Sequence, residues 1–291
     1  MEQTNSYALL NGQIIKKDKA TISPNDRGFI YGDGIYETIR IHHGKPFLWE
    51  WHMTRLIEGA KTINLKVPLT PLEFSEKTKE LIKLNRSSNC IARLTITRGP
   101  GKRGYDFTGD EPPTSLISLY EIPKIEKKGI SLSITNIRVA AGDILTSIKS
   151  NNKLGSVMAK RFAKEKDTDD GLIINSEGNI TETSSANVFY IKDEAIRTPP
   201  INDGLLPGVT RRLVIALASR LGKTVEEESI KPKQLEKADA IFVTSAATGI
   251  RNVERIEATK LPSNKLVNDL KNAYENELTK HAILAAKSTG T

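Results

Sequence analysis

Cysteine, tryptophan and histidine are scarce in this chain: one, two and four in 291 residues. A single cysteine, Cys90, excludes an intrachain disulfide. It sits in the β-prone run Cys90-Ile91-Ala92 and reads as a small buried hydrophobe rather than a nucleophile. His42, His43, His52 and His281 lack metal-ligand spacing, so no metal is expected. No apolar run is long enough to span a membrane. Met1 to Ala8 is polar and lacks the apolar stretch of a secretory signal, which makes the cytoplasm the default expectation. Gly32-Asp33-Gly34 precedes a strand and has neither the third glycine nor the following helix of a dinucleotide fingerprint. Internal repeats and low-complexity tracts are absent as well.

What is present begins with charge. The net charge is +8. Lysine and arginine are scattered, with no long basic tract and no aromatic-rich RNA-binding motif, so nucleic acid is not the expected partner. A basic surface favours small anions such as phosphates and dicarboxylates, and is equally compatible with plain solvation.

Turn and periodicity signals divide the chain into an α+β pattern with two lobes. Asn11-Gly12 predicts a hairpin and His43-Gly44-Lys45 a second one. Ser23 to Gly28 reads as a loop, and Ile35 to Ile41 as a strand. Glu50 to Ile63 is amphipathic, with Met53, Leu56, Ile57 and Ala60 on one face. Thr70-Pro71-Leu72-Glu73 is a capping box that starts a helix running to about Leu84. Strands follow at Cys90 to Thr97 and Leu116 to Glu121, separated by a Gly/Pro-rich stretch too long to be a mere turn. The lysine-rich segment 122–129 reads as a linker between a domain at 1–121 and a second at 130–291. Beyond it come a strand at Ile130 to Val139, a helix at Leu154 to Lys166 and short strands up to Thr198. A strong helix at Gly208 to Leu221, strands at Thr224 to Glu228 and Ala240 to Thr244, and a polar C-terminal helix complete the pattern.

Five stretches carry chemistry: His52-Met53-Thr54-Arg55-Leu56, Lys149-Ser150-Asn151-Asn152-Lys153-Leu154-Gly155, Thr181-Glu182-Thr183-Ser184-Ser185-Ala186-Asn187, Leu205-Leu206-Pro207-Gly208-Val209-Thr210-Arg211 and Val243-Thr244-Ser245-Ala246-Ala247-Thr248-Gly249. In this order they resemble the fold-type IV enzymes that use pyridoxal 5'-phosphate (PLP): branched-chain aminotransferases, D-amino acid aminotransferases and 4-amino-4-deoxychorismate lyases. The resemblance runs from about Asn11 to about Leu261. It implies a smaller N-terminal α/β domain, a larger C-terminal domain with a pseudo-barrel of strands, and a homodimer. It makes Lys149 the catalytic lysine that attaches to the cofactor, and Glu182 the partner of the pyridine nitrogen. Arg55, Val209, Thr210 and Ser245 fall on the phosphate site, and Leu206 lies under the ring. Ala246 stands where many relatives have threonine, which leaves a backbone contact only. Asn187 reads as structural, and Arg138 as a group that neutralises or orients Glu182. As isolated residues, Lys149 is one lysine among many, Arg55 a helix-surface arginine and Leu206 core.

On the substrate side the resemblance points to Tyr36, Arg103, Tyr105 and Ala247. Tyr36, in Gly34-Ile35-Tyr36-Glu37-Thr38, is similar to the D-amino acid enzymes and the lyases. Leu154 replaces the tyrosine that bacterial branched-chain enzymes carry five residues after the lysine. Thr97 to Tyr105 resembles a lyase stretch, a carboxylate trap with Arg103 as its arginine and Tyr105 in place of a histidine, and an Arg-Gly-x-Gly loop of some branched-chain enzymes, with a plain solvent loop as the bland reading. The leading expectation is transamination between an amino acid, branched-chain L- or D-, and a 2-oxo acid such as 2-oxoglutarate. The alternatives are aminodeoxychorismate cleavage to 4-aminobenzoate and pyruvate, or an inactive basic binding protein, against which the intact Lys149 and Glu182 argue.

Overall fold

A computed structural model describes residues 6–125 and 128–287, with side chains for all of these but 284–287. The chain forms two compact units. Among the described residues the first comprises 6–123, 148–152 and 278–287; the second comprises 124–125, 128–147 and 153–277.

The first unit is built on a six-stranded antiparallel sheet of order β2-β1-β6-β5-β3-β4. β1 (Tyr7–Leu10) and β2 (Gln13–Lys16) join at Asn11 and Gly12, whose φ angles of 48° and 80° are those of a mirror-image turn. β3 (Gly34–His42) and β4 (Lys45–Pro46) meet in the second expected hairpin, and β5 (Cys90–Thr97) and β6 (Thr114–Tyr120) complete the sheet. Alternation along β3 sends Ile35, Glu37, Ile39 and Ile41 to the buried face and leaves Tyr36, Thr38 and Arg40 half-buried on the other. α2 (Trp49–Thr62) and α3 (Pro71–Leu84) supply Met53, Leu56, Ala60, Phe74 and Leu81 to a core shared with Ile39, Leu94 and Ile117. Thr70 and Glu73 form the expected capping box at the start of α3. Ile57 departs from the expected face. It is 42% exposed and, with Val67, Leu69 and Phe74, walls a cleft of about 360 Å³. The stretch read as loop at Ser23 to Gly28 runs into a short helix, α1 (Arg27–Tyr31). Asp26 caps it by accepting the Gly28 N–H, and Gly32 ends it at φ 68°.

The second unit contains a nine-stranded sheet. Its strands are β7 (Ile130–Val139), β8 (Asp170–Asn175), β9 (Ile180–Thr183), β10 (Asn187–Lys192), β11 (Ala195–Thr198), β12 (Val225–Glu227), β13 (Ala240–Ser245), β14 (Gly249–Ile256) and β15 (Thr259–Lys260). Pairing proceeds β10-β13-β14-β7-β8-β9, and β9 pairs back to β10 at Glu182 and Asn187. Six strands therefore close into a ring, the barrel that the fold class anticipated. Leu132, Leu172, Val188, Ile241, Val243 and Val253 belong to one buried cluster. The helices of this unit are α4 (Leu154–Glu165), α5 (Val209–Arg220) and α6 (Pro232–Leu235), and α7 (Lys265–Lys287) begins in it. No described helix is long and apolar enough to cross a membrane.

Candidate active site

Lys149 belongs to the first unit, although it lies far along the chain. The segment 148–152 lies against the start of β3. The Tyr36 N–H donates to the Lys149 carbonyl at 2.9 Å, the Asn151 N–H donates to the Gly34 carbonyl at 2.9 Å, and Ser150 bridges Ile35. Gly34 allows this approach, because a Cβ there would lie 2.7 Å from Asn151 Nδ2. The Lys149 Nζ stands 4.6 Å from the centroid of the Tyr36 ring. The Arg93 guanidinium lies 3.7 Å from the same centroid. Two cations thus share one aromatic ring on the outward face of β3 and β5. Arg93 escaped the sequence reading. Its signal is cross-strand register, with Arg93 opposite Thr38, two residues from Tyr36.

On the buried face of β3, Glu37 is fully enclosed. Its Oε1 accepts from Arg55 Nε at 2.8 Å, and its Oε2 accepts from Arg55 Nη2 at 2.7 Å. His52 Nδ1 lies 2.7 Å from the same Oε2. Burial pushes the Glu37 carboxyl upward, but the Arg55 charge and His52 outweigh it and hold it at about 2. Burial pushes His52 below its ordinary value, against the pull of the Glu37 carboxylate with which its Nδ1 shares the hydrogen bond. Arg55, expected on the phosphate site, turns Nε and Nη2 toward Glu37 as a bidentate fork. Glu37 was legible in principle: it is a carboxylate in the core-facing register of Ile35, Ile39 and Ile41, where a charge needs a partner.

Arg103 and Tyr105 stand in solvent on the 99–113 loop, Tyr105 being 88% exposed. Beneath them the Asp33 carboxylate accepts from Arg27 Nε at 3.0 Å and from Arg98 Nε at 2.8 Å. Burial opposes ionisation of Asp33, yet the two arginines hold its carboxyl below the usual range.

In the second unit, Glu182 sits on β9 where the ring of strands closes. Its Oε2 accepts from Asn187 Nδ2 at 3.2 Å and from the Leu206 N–H at 3.4 Å. Asn187 Nδ2 also donates to the Leu206 carbonyl at 2.9 Å, so Asn187 ties the carboxylate to the 205–208 turn. Gly208 makes room for this, because a Cβ there would lie 2.0 Å from Asn187 Oδ1. Gly208 is the N-cap of α5 and no side chain caps that end, so Val209 and Thr210 open a helix suited to an anion. Leu206 is half-buried, as are Ala246 and Ala247 in the turn after β13. In that turn the Ser245 and Thr248 hydroxyls lie 2.9 Å apart. Arg138 donates to the Asn175 carbonyl at 3.3 Å.

The family model for amino-transferase class IV matches residues 34–256. A Methanocaldococcus jannaschii protein provisionally named a branched-chain-amino-acid aminotransferase is 32% identical, over 94% of this chain and 97% of its own length. A D-alanine aminotransferase of Staphylococcus aureus is 29% identical over 94% of this chain and 98% of its own. The solved structure of a protein from Legionella pneumophila, provisionally named a 4-amino-4-deoxychorismate lyase, superposes with a TM-score of 0.85. It shares 27% identity over 90% of this chain and 97% of that one. The chain belongs to the class IV amino-transferases, a family of PLP enzymes.

Proposed function

We propose that the chain transfers an amino group from a branched-chain L-amino acid or a D-amino acid to a 2-oxo acid with a second carboxylate, such as 2-oxoglutarate, and that Lys149 carries the cofactor. The observation that supports this best is the Tyr36 ring with the Lys149 amine on it at 4.6 Å and the Arg93 guanidinium at 3.7 Å. It sets a nucleophilic amine and a carboxylate-binding fork on one platform.

The donor set suits PLP. It comprises an amine in Lys149, a held carboxylate in Glu182, and a helix N-terminus without a side-chain cap in α5. When bound, PLP supplies the electron sink that lets an α-hydrogen leave as a proton. The Lys149 amine takes that proton as general base and returns it as general acid. The Glu182 carboxylate, fixed by Asn187 and the Leu206 N–H, keeps a pyridine nitrogen protonated by charge pairing. Arg55, its Nε and Nη2 held by Glu37, is assigned to phosphate together with the first N–H groups of α5 at Val209 and Thr210, Ser245 and the backbone of Ala246. Leu206 flanks the ring. Tyr36, Ala247, Arg93, Arg103 and Tyr105 are assigned to substrate, the two arginines to its carboxylates.

The test is a panel. L-leucine, L-valine, D-alanine and D-glutamate are each offered with 2-oxoglutarate or pyruvate, and aminodeoxychorismate is offered alone. Amino transfer faster with 2-oxoglutarate than with pyruvate supports the reading. Release of 4-aminobenzoate without any oxo-acid requirement would replace it with the lyase.

A further inference from the structure

We propose that Arg27 is a positioning residue for substrate specificity, acting by fixing the 99–113 loop so that Arg103 and Tyr105 face an anionic substrate group. This rests on the transaminase reading above. Arg27 is 3% exposed, and its guanidinium is surrounded by acceptors. Nε donates to Asp33 Oδ2 at 3.0 Å. Nη1 donates to the carbonyls of Lys102 at 3.4 Å, Gly104 at 2.9 Å and Asp106 at 3.2 Å. Nη2 donates to the Tyr105 carbonyl at 3.2 Å. One planar fork thus gathers four loop carbonyls and one carboxylate. Lysine, a point charge with three donors on one nitrogen, cannot span that set.

Carbonyls turned inward around one cation leave the intervening side chains turned outward, as the exposure of Arg103 and Tyr105 shows. Three details fit the same design. Gly104 takes φ 114°, a conformation that L side chains rarely adopt, and its N–H donates to the Tyr31 hydroxyl at 2.8 Å. The Tyr105 ring packs 5.5 Å from the Tyr31 ring, which also lies 5.0 Å from the Arg27 guanidinium. Gly101 passes over the stem of Arg27, where a Cβ would lie 2.9 Å from its Cδ. The exposed arginine is therefore held by its backbone while its fork remains available for a carboxylate.

The experiment uses the full-length, PLP-loaded enzyme and the variants Arg27→Met, Arg27→Lys, Arg103→Ala and Arg27→Met/Arg103→Ala. Limited trypsin digestion reports the loop directly, because Lys102 and Arg103 are exposed cleavage points on it. Arg27→Met is expected to speed cleavage there about tenfold. It is also expected to raise KM for 2-oxoglutarate about tenfold, the scale of one lost charge-assisted hydrogen bond, with kcat changed less than about twofold. KM for pyruvate is expected to stay put, and Arg27→Lys to fall between. The double variant is expected to raise KM no further than Arg103→Ala alone, since both act through one contact. Unchanged cleavage, equal KM changes for both acceptors, or additive effects in the double variant would each overturn the proposal. Should Arg27→Met not fold, Arg27→Lys carries the same readouts. Absence of amino transfer in the wild type would defeat the transaminase reading instead, and the trypsin comparison would still report the loop.

Discussion

At the scale of single residues, Lys149 and Arg93 are the two cations on the Tyr36 ring, and each assignment has its own test. Borohydride reduction of the PLP-loaded protein is expected to fix the cofactor on Lys149, read by peptide mass, and Lys149→Ala is expected to abolish turnover. An adduct on another lysine would contradict the assignment. Arg93→Ala should raise KM for 2-oxoglutarate roughly tenfold or more while leaving pyruvate nearly unchanged, since only the former brings a second carboxylate. Glu37 gives a pH prediction. Its carboxyl is held at about 2 against an ordinary 4.5. A depressed carboxyl contributes stability that is fully present above pH 4.5 and is lost as pH falls toward 2, here ~3 kcal/mol. Glu37→Gln is therefore expected to be less stable at neutrality, by urea midpoint, and to lose this part of the acid dependence. A parallel fall in both proteins would reject the pairing. Lys149 and Glu182 stood out in the sequence because fixed neighbours surround them. Arg93 and Glu37 did not, because their meaning lies in which strand faces them and which face of the sheet they join.

At the scale of elements, local signals translated well where each rested on its own residues. The α3 capping box and the Asn11-Gly12 turn formed as read. Thr70→Ala is expected to cost about 1 kcal/mol in chemical denaturation without affecting kcat, because it removes the acceptor for the Glu73 N–H at a distant helix end. Among the elements missed, α1 and β14 have clear physical reasons. α1 has only five residues, too few for a helical period to show, and Gly28 dilutes its propensity. β14 carries Arg251, Asn252, Glu254 and Arg255, so its apolar positions Ile250, Val253 and Ile256 do not alternate cleanly. Its register break between Val253 and Arg255, where it pairs with β7, is the structural counterpart of that lapse. Gly208 links an element to the site. Gly208→Ala places a methyl group on Asn187, and the displaced amide should release Glu182. Weakened PLP retention in equilibrium dialysis, with the melting temperature little changed, is the expected result.

At the scale of the whole molecule, order along the chain and membership of a unit part company. Residues 148–152 follow β7 in sequence, yet they cluster with β3 in the first unit. No local pattern in Ile148-Lys149-Ser150 announces this, since it depends on hydrogen bonds to Gly34 and Tyr36 more than a hundred residues away. Hydrogen exchange can test it. Ile39→Ala, in the first core, should lower amide protection across 148–152, and Val188→Ala, in the second, should not. Equal loss in both variants would argue against the assignment.

The C-terminal helix carries a similar lesson. Leu278 and Ala282 are buried in the last turns of α7, and the His281 ring meets the Phe47 ring edge-on at 5.4 Å, all within the first unit. The amino-terminal part of the polypeptide is thus completed by residues from far along the chain. A ribosome that has already released β1 to β6 must translate some 150 further codons before their cover arrives, so a stop codon just after Glu277 would injure the part of the protein synthesised first.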